Sequence, residues 1–295
     1  VYIDVERKGT RDILHVGLSR IDVSTGKNTV YEQFSSIEDK NYALDETFRF
    51  IQVHDPKEIV FYIYSQNEDP SNSPSLNQHF LSSYLDLSQR IVHFKECPSE
   101  IFNLNYQNTF LTKIYPTHGM LSVIEYLDLE MLHYGKLAFI LGLEFAYKHN
   151  ESIISRIEKP EIWDETKYLL LTNNSVHQLN IMSHPSMNTH CKFNSLFSVI
   201  NHTSTSLGKR KLKETLLNPI IDPNEIQKRY SILQSFIDNK LYESYEIYLN
   251  NIMDIERLHR KFMLKLLQPA DFVGLDISYQ NIIELLKLPS NKIVD

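Results

Sequence analysis

The chain has 295 residues, of which 42% are hydrophobic and 8 are glycine, which favours a globular, helix-rich protein of about two domains over a disordered one. Its 30 Lys and Arg against 37 Asp and Glu give a net charge of −7, which argues against a surface that coats DNA phosphates broadly but allows a local basic patch. Two cysteines, Cys97 and Cys191, exclude a disulfide framework, and the longest apolar run, residues 137–143, is too short to cross a membrane. With no signal peptide visible, we expect an intracellular protein in a reducing compartment, cytoplasm or nucleus, and not a secreted one.

The first third of the chain alternates between strand-like and helix-like patterns. β-branched and aromatic residues on both sides of the turn sequence Ser24-Thr25-Gly26-Lys27 predict a hairpin. The predicted elements in order are the hairpin over 13–34, a helix over 42–53, a strand over 58–64, a helix over 76–87 and a strand over 91–94. Strands interleaved with helices predict a mixed sheet with covering helices, an α/β domain over residues 1–110.

The remainder of the chain is predicted to be an all-α domain over residues 111–295. The predicted helices that precede the central motif cover 101–114, 120–129 and 135–157. Further along, Asp222 is a helix N-cap, Pro223 occupies the first helical position and Glu225 completes a capping box. The apolar face of that helix consists of Ile226, Tyr230, Leu233 and Ile237. Residues 240–268 contain no Gly or Pro and predict helix with a break near Asp254, its apolar stripe including a half-buried His259.

Residues 195–219 are the most informative stretch of the chain. They predict a short helix, a hydroxyl-rich hinge that caps a second helix, and a stop before Pro219. Gly208 lies inside the second helix, where glycine costs about 1 kcal/mol against alanine. It is tolerable there if another backbone comes close, so we expect Gly208→Leu to disrupt packing.

This stretch resembles the core domain of MutS-type DNA mismatch-repair proteins, whose pattern is approximately S-L-L-x-x-L-D-x-T-x-T-x-x-G-x-R-x-L-x-x-W-L-x-x-P-L. The matching residues are Ser195, Leu196, Thr203, Thr205, Gly208, Arg210, Leu212, Leu216 and Pro219. The chain departs from the pattern at Asn201, where the family prefers Asp, and at Thr215, where the family often has Trp.

Further stretches resemble MutS motifs in the family's order. Residues 254–258, which begin with Asp254, are similar to D-L-E-R-L, residues 269–272 to P-R-D-L, and residues 166–182 to the start of the family's core. The connector motif G-L-A-x-x-D-x-S-T-G-x-F is matched by Gly17, Leu18, Asp22, Ser24, Thr25 and Gly26. The resemblance implies an RNase H-like connector followed by the N-terminal part of the helical core, or lever, domain.

The same resemblance implies the function of a larger parent protein. That protein would be a homo- or heterodimer that binds mismatched double-stranded DNA and changes state with ATP, with a docking face for a MutL-type partner on the connector. The three Gly-Lys pairs of this chain lack the G-x-x-x-x-G-K-[ST] pattern of a phosphate-binding loop. ATP and magnesium are therefore expected in a C-terminal ATPase domain beyond residue 295, and we expect no catalytic, cofactor or metal site here.

Several residues could carry other chemistry or have ordinary structural roles. An RNase H-like nuclease would need converging carboxylates, for which Asp22, Glu46 and Asp86 are the candidates, but turn and surface roles are favoured. A zinc site of His184, His190 and Cys191 lacks a fourth ligand at the usual spacing. The basic run Lys209, Arg210, Lys211 and Lys213 could contact DNA phosphate, although we favour a solvated face with a structural Arg210. A MutS relative that acts as a recombination or structural factor, without mismatch preference, is a further alternative.

Overall fold

The structure, a computed structural model, describes residues 1–8, 11–65, 76–88, 90–116, 120–164, 167–169, 171, 173–183 and 193–288. The chain forms two compact units, residues 1–164 and residues 165–295. The first unit contains a mixed sheet with helices, and the described part of the second is helical apart from one isolated β-bridge. An α/β part followed by an all-α part, as the sequence predicts, is therefore observed.

The sheet of the first unit has six strands in the order β5-β4-β1-β2-β3-β6. The strands are β1 Tyr2–Lys8, β2 Arg11–Ile21, β3 Asn28–Phe34, β4 Glu58–Ser65, β5 Ile91–Lys95 and β6 Glu161–Ile162. Strands β1, β2 and β3 are antiparallel neighbours, whereas β4 runs parallel to β1, β5 parallel to β4 and β6 parallel to β3. The predicted hairpin is the β2–β3 pair, in which Gly17 faces Glu32.

One face of the sheet is covered by α1 Tyr42–His54 and α2 Gln78–Tyr84. Side chains alternate along a strand, so one set of strand residues points to this face. The buried cluster joins strand residues such as Ile3, Val16 and Phe61 to helix residues such as Phe48 and Leu81. Helix α1 ends one residue later than predicted, whereas α2 begins two residues later and ends three residues earlier than predicted.

The opposite face is covered by α3 Leu104–Ile114, α4 Val123–Tyr126 and α5 His133–His149. Helix α5 packs directly on β2, and small residues bring the two backbones together. A Cβ at Gly17 would lie 1.9 Å from the carbonyl oxygen of Tyr134. The hydroxyl of Ser19 donates a 2.9 Å hydrogen bond to the carbonyl oxygen of Ala138.

The structure divides the chain at a different point from the predicted boundary between residues 110 and 111. That boundary falls inside α3, and α3, α4 and α5 contribute to a buried cluster on the sheet that includes Phe110, Leu127 and Phe139. The three helices predicted over 101–114, 120–129 and 135–157 therefore correspond to a covering layer of the sheet. The sequence predictions also missed β1 and β6, although the alternation in residues 2–6 is a strand signal.

The second unit consists of seven described helices. They are α6 Asn173–Gln178, α7 Leu196–Ile200, α8 Ser206–Leu217, α9 Pro223–Asp238, α10 Leu241–Leu249, α11 Ile255–Met263 and α12 Pro269–Lys287. Helix α10 contacts α9 and α12, and α11 contacts α12. A β-bridge between Tyr168 and Ile220 joins the beginning of the unit to the segment after α8. The predicted break near Asp254 is confirmed, because Asp254 is the N-cap of α11.

Two details of the second unit differ from prediction. Asp222 caps α9 as predicted, by accepting a hydrogen bond from Asn224 N at 2.9 Å. Glu225 was predicted to complete a capping box, but its carboxylate instead lies 3.6 Å from Arg229 on the next turn. The predicted apolar face of α9 is largely exposed, with Tyr230, Leu233 and Ile237 each more than half accessible. Periodicity predicts which residues share a face, but only packing decides whether that face is covered.

Candidate functional site

The connector-like motif forms the turn between β2 and β3. One carboxylate oxygen of Asp22 accepts hydrogen bonds from Ser24 N at 2.9 Å, Ser24 Oγ at 2.7 Å and Thr25 N at 3.2 Å. Its other oxygen accepts from Arg20 Nη2 at 2.9 Å. Gly26 has φ of 85°, a backbone conformation that glycine adopts without strain. The motif is therefore a hydrogen-bonded turn, and both Asp22 oxygens are occupied.

The surroundings of Asp22 also determine its charge. Burial by itself would raise the pKa of this carboxyl, but the hydrogen bonds from Ser24 and Thr25 and the nearby Arg20 lower the pKa overall. Asp22 is consequently an ionised turn residue.

The other two nuclease candidates have separate structural surroundings. Glu46 lies on α1 and is almost fully buried, where it pairs with Arg49 at 2.7 Å and accepts a 3.1 Å hydrogen bond from the Tyr31 hydroxyl. Asp86 follows α2 with a left-handed backbone at φ of 48°. Among the residues that the structure describes, no group of three or more His, Cys, Asp or Glu could hold a metal ion. The structure therefore does not bring the three carboxylates together.

His184, His190 and Cys191, the residues considered as zinc ligands, lie outside the described residues. Of the helices in the described ranges, none has both the length and the apolar character needed to cross a membrane.

The hinge of the central motif is built from side-chain caps. Thr205 is the N-cap of α8 and accepts from Gly208 N at 3.0 Å, as the hydroxyl-rich sequence predicts. The Thr203 hydroxyl donates to Asn201 Oδ1 at 2.8 Å, so Asn201 supplies an acceptor where the family prefers Asp. A Cβ at Gly208 would meet Thr205 Oγ1 at 3.0 Å. The close neighbours of Gly208 are thus hinge side chains, and not another backbone as we expected.

Arg210 joins two of the family motifs. Its Nη1 donates to Asp254 Oδ2 at 2.6 Å and its Nη2 donates to Asp254 Oδ1 at 2.9 Å, a two-pronged contact that a planar guanidinium makes well. Nη2 also donates to Glu256 Oε2 at 2.7 Å. The hydrogen bonds from Arg210 are the main reason that the pKa of Asp254 is below its usual value, against an opposing effect of burial. Arg210 is therefore engaged with protein carboxylates.

The remaining cations of the basic run differ in their surroundings. Lys209 is exposed, Lys211 pairs with Glu214 at 2.8 Å, and Lys213 is half-buried. Leu212 and Pro219, also part of the motif, are half-buried within the second unit. Four residues were considered for phosphate contact. Among them, only Lys209 is exposed and makes no ion pair with a described carboxylate.

Sequence reasoning missed part of this arrangement. Ser278 of α12 is fully buried, and its hydroxyl accepts from Met253 N at 3.1 Å and donates to Gly274 O at 2.7 Å. No sequence signal separates Ser278 from other helix serines. His259 was expected to be half-buried, but it is exposed and contacts the Tyr279 hydroxyl.

The helical second unit matches a known protein family. Residues 174–293 match the family model of MutS domain III. These residues include α7, α8 and the Arg210–Asp254 contact.

Similar proteins carry the same family name. A putative DNA mismatch repair protein mutS homolog of Acanthamoeba polyphaga mimivirus is 33% identical over 299 residues, which cover 95% of this chain and 27% of the relative. The DNA mismatch repair protein MutS of Lachnoclostridium phytofermentans is 25% identical over 261 residues, 88% of this chain and 25% of the relative. A mitochondrial DNA mismatch repair protein mutS homolog of Sarcophyton glaucum is 31% identical over 173 residues, 56% of this chain and 16% of the relative.

The chain belongs to the MutS family of DNA mismatch-repair proteins. The family resemblance drawn from the motifs is confirmed. The chain spans 27% or less of the length of these three relatives.

Proposed function

We propose that this chain forms the connector and the first part of the core, or lever, of a MutS-type protein that binds mismatched double-stranded DNA. In this proposal the chain couples mismatch recognition to an ATPase domain outside these residues, and ATP and magnesium bind in that domain. The observation that carries the proposal is the contact of Arg210 with Asp254, because it joins two motifs that resemble MutS within the segment matched to MutS domain III.

The connector assignment is supported by the topology of the first unit. Three antiparallel strands, β3, β2 and β1, are extended by the parallel strands β4 and β5, which is the arrangement expected of an RNase H-like sheet. The connector-like motif forms the tight turn at residues 22–27. Both features are consistent with a connector that transmits position between domains and has no catalytic role of its own.

The proposal is tested with the full-length protein that contains this chain. Binding to a short duplex with one T·G mismatch and to the matched duplex is measured by fluorescence anisotropy, with and without ATP and magnesium. We expect tighter binding to the mismatch and faster release on addition of ATP. Equal affinity for the two duplexes would contradict mismatch recognition and favour a recombination or structural role.

An RNase H-like nuclease has no support from the described carboxylates, which do not converge. A nuclease would cleave nucleic acid in the presence of magnesium, and the Asp22→Asn variant would lose that cleavage. We expect no cleavage by the wild type or by Asp22→Asn.

The partners form a separate part of the proposal. We propose a homo- or heterodimer inside the cell, and a docking face for a MutL-type partner on the connector. Size-exclusion chromatography with light scattering tests the dimer, and co-purification of the full-length protein with its cognate MutL-type protein on mismatched DNA tests the partner. A monomeric mass would contradict the proposed dimer. Failure to co-purify while mismatch binding is intact would contradict the proposed MutL-type partner.

A further inference from the structure

We infer that Met253 and Asp254 form a junction through which α8, α11 and α12 are held as one mechanical body. The inference goes beyond DNA binding, because it concerns how a displacement of one helix reaches the other two. It rests on contacts between residues that are distant in sequence, 44 positions from Arg210 to Asp254 and 25 from Met253 to Ser278.

The first half of the junction is the side chain of Asp254. Its two oxygens accept from both terminal nitrogens of Arg210, which lies on α8. The same carboxylate caps α11 by accepting from Arg257 N at 3.5 Å. One carboxylate therefore fixes the start of α11 and attaches it to α8. Glu256, in the first turn of α11, accepts a third hydrogen bond from Arg210.

The second half of the junction is the backbone of the preceding residue. Met253 N donates to the buried hydroxyl of Ser278 on α12, and that hydroxyl donates in turn to Gly274 O one turn earlier. A Cβ at Gly274 would lie 2.3 Å from Met253 Sδ, so the absence of a side chain there leaves room for the Met253 side chain against α12. Two successive residues thus attach to two different helices.

The geometry has a mechanical consequence. Adjacent Cα atoms are fixed about 3.8 Å apart across a trans peptide bond, so while the hydrogen bond from Met253 N to Ser278 is intact, a movement of α12 pulls on residue 254 as well. Residue 254 is held by a charge-assisted, two-pronged contact, the strongest kind of hydrogen bond between side chains. In this inference, a displacement of α8 at the hinge of residues 203–208 is therefore transmitted to α11 and α12 together.

Hydrogen exchange of the 295-residue chain, followed by mass spectrometry, tests the junction. We expect Arg210→Gln to raise exchange at residues 253–258 and around residues 274–278 by about tenfold, while α9 of the same unit keeps the protection it has in the wild type, which shows that the second unit remains folded. The matched control is Arg229→Gln, which removes an exposed arginine whose nearest carboxylate, Glu225, lies 3.6 Å away. That control is expected to change exchange only locally on α9.

Two further variants separate the junction from simple helix capping. Asp254→Asn retains a good N-cap but loses the charged contact, so it should reproduce the effect of Arg210→Gln. Ser278→Ala should also raise exchange at residue 253, and its effect on stability should be non-additive with that of Arg210→Gln, as coupled sites require. Faster exchange confined to α8 in Arg210→Gln, or wild-type exchange in Asp254→Asn, would overturn the inference.

Discussion

Gly17 determines how closely β2 and α5 approach each other. The nearest atoms to a Cβ at this position are the carbonyl oxygen and carbon of Tyr134, at 1.9 and 2.3 Å, and these backbone atoms cannot rotate away. We therefore expect Gly17→Ala to lower the free energy of unfolding by about 1–3 kcal/mol, as overpacking typically does. Urea denaturation of the chain measures the change.

Gly142 provides a matched control on the same helix–strand contact. A Cβ there would meet Ile21 Cδ1 and Ser19 Oγ, both at 3.1 Å, and side-chain ends can yield. Alanine is also favoured over glycine in a helix by about 1 kcal/mol. Gly142→Ala should therefore change stability much less than Gly17→Ala, and equal losses would show that backbone contact is not the cause.

The buried pair of Glu46 and Arg49 gives a second prediction at the scale of residues. Their side chains are 1% and 5% exposed, so Arg49→Met leaves a carboxylate buried without its counter-charge. Such a loss typically costs about 3–5 kcal/mol of unfolding free energy. The double variant Glu46→Gln with Arg49→Met should recover part of that loss, because Gln can still accept from the Tyr31 hydroxyl. Thermal or urea unfolding tests both.

An exposed ion pair serves as the comparison for this prediction. Lys211 and Glu214 lie 2.8 Å apart on α8, with side chains 68% and 41% exposed. Solvent screens such pairs, so Lys211→Met should change stability by less than about 1 kcal/mol. If Arg49→Met also lowered the free energy of unfolding by less than about 1 kcal/mol, burial of the Glu46–Arg49 pair would not make it more stabilising than an exposed pair.

At the scale of elements, the contact between α8 and α11 predicts a dependence on pH. The folded-state pKa of Asp254 is lowered, chiefly by the hydrogen bond from Arg210. A carboxyl with a lowered pKa contributes stability above its unfolded pKa of about 3.9 and loses it as pH falls through the folded value. The stability difference between the wild type and Arg210→Gln should be constant above about pH 5 and shrink toward zero at lower pH.

Urea unfolding of both proteins across that pH range provides the measurement. A difference that persists unchanged far below the ordinary pKa of aspartate would show that the ion pair does not stabilise the α8–α11 contact. Arg229→Gln, measured in parallel, should differ little from the wild type at any pH, because its pair is exposed on α9.

At the scale of the whole molecule, the two units differ in how much apolar surface they bury. The first unit has a buried apolar cluster on each face of its sheet. In the described part of the second unit, the buried hydrophobic residues are Leu171, Val176, Ile181, Leu217, Leu258 and Leu275. Burial of apolar surface is the main stabilising contribution to folding, so the second unit should open more readily.

Hydrogen exchange of the intact chain at increasing urea tests this expectation. Amides of α9, α10 and α12 should lose protection at lower urea than those of β1, β2 and β4. Loss of protection at one common urea concentration would instead indicate a single cooperative unit.

The local sequence was sufficient for much of the fold and for the family. Turn residues and alternation determine the β2–β3 hairpin, hydroxyl and carboxylate caps determine the starts of α8, α9 and α11, and the motif around residues 195–219 identifies MutS. These signals are readable because each depends on residues within a few positions of one another. The same is true of the Asp22 turn, whose four hydrogen bonds come from partners within three residues.

Only the tertiary structure decided where the units divide, which helix faces are covered and what Arg210 contacts. Helix α5 belongs with the sheet because Gly17 admits its backbone, and the apolar face of α9 is exposed although its periodicity predicts a packed stripe. Arg210 meets Asp254 across 44 positions, and Ser278 meets Met253 across 25. Contacts over such separations depend on the relative placement of whole helices, which local propensity and periodicity do not encode.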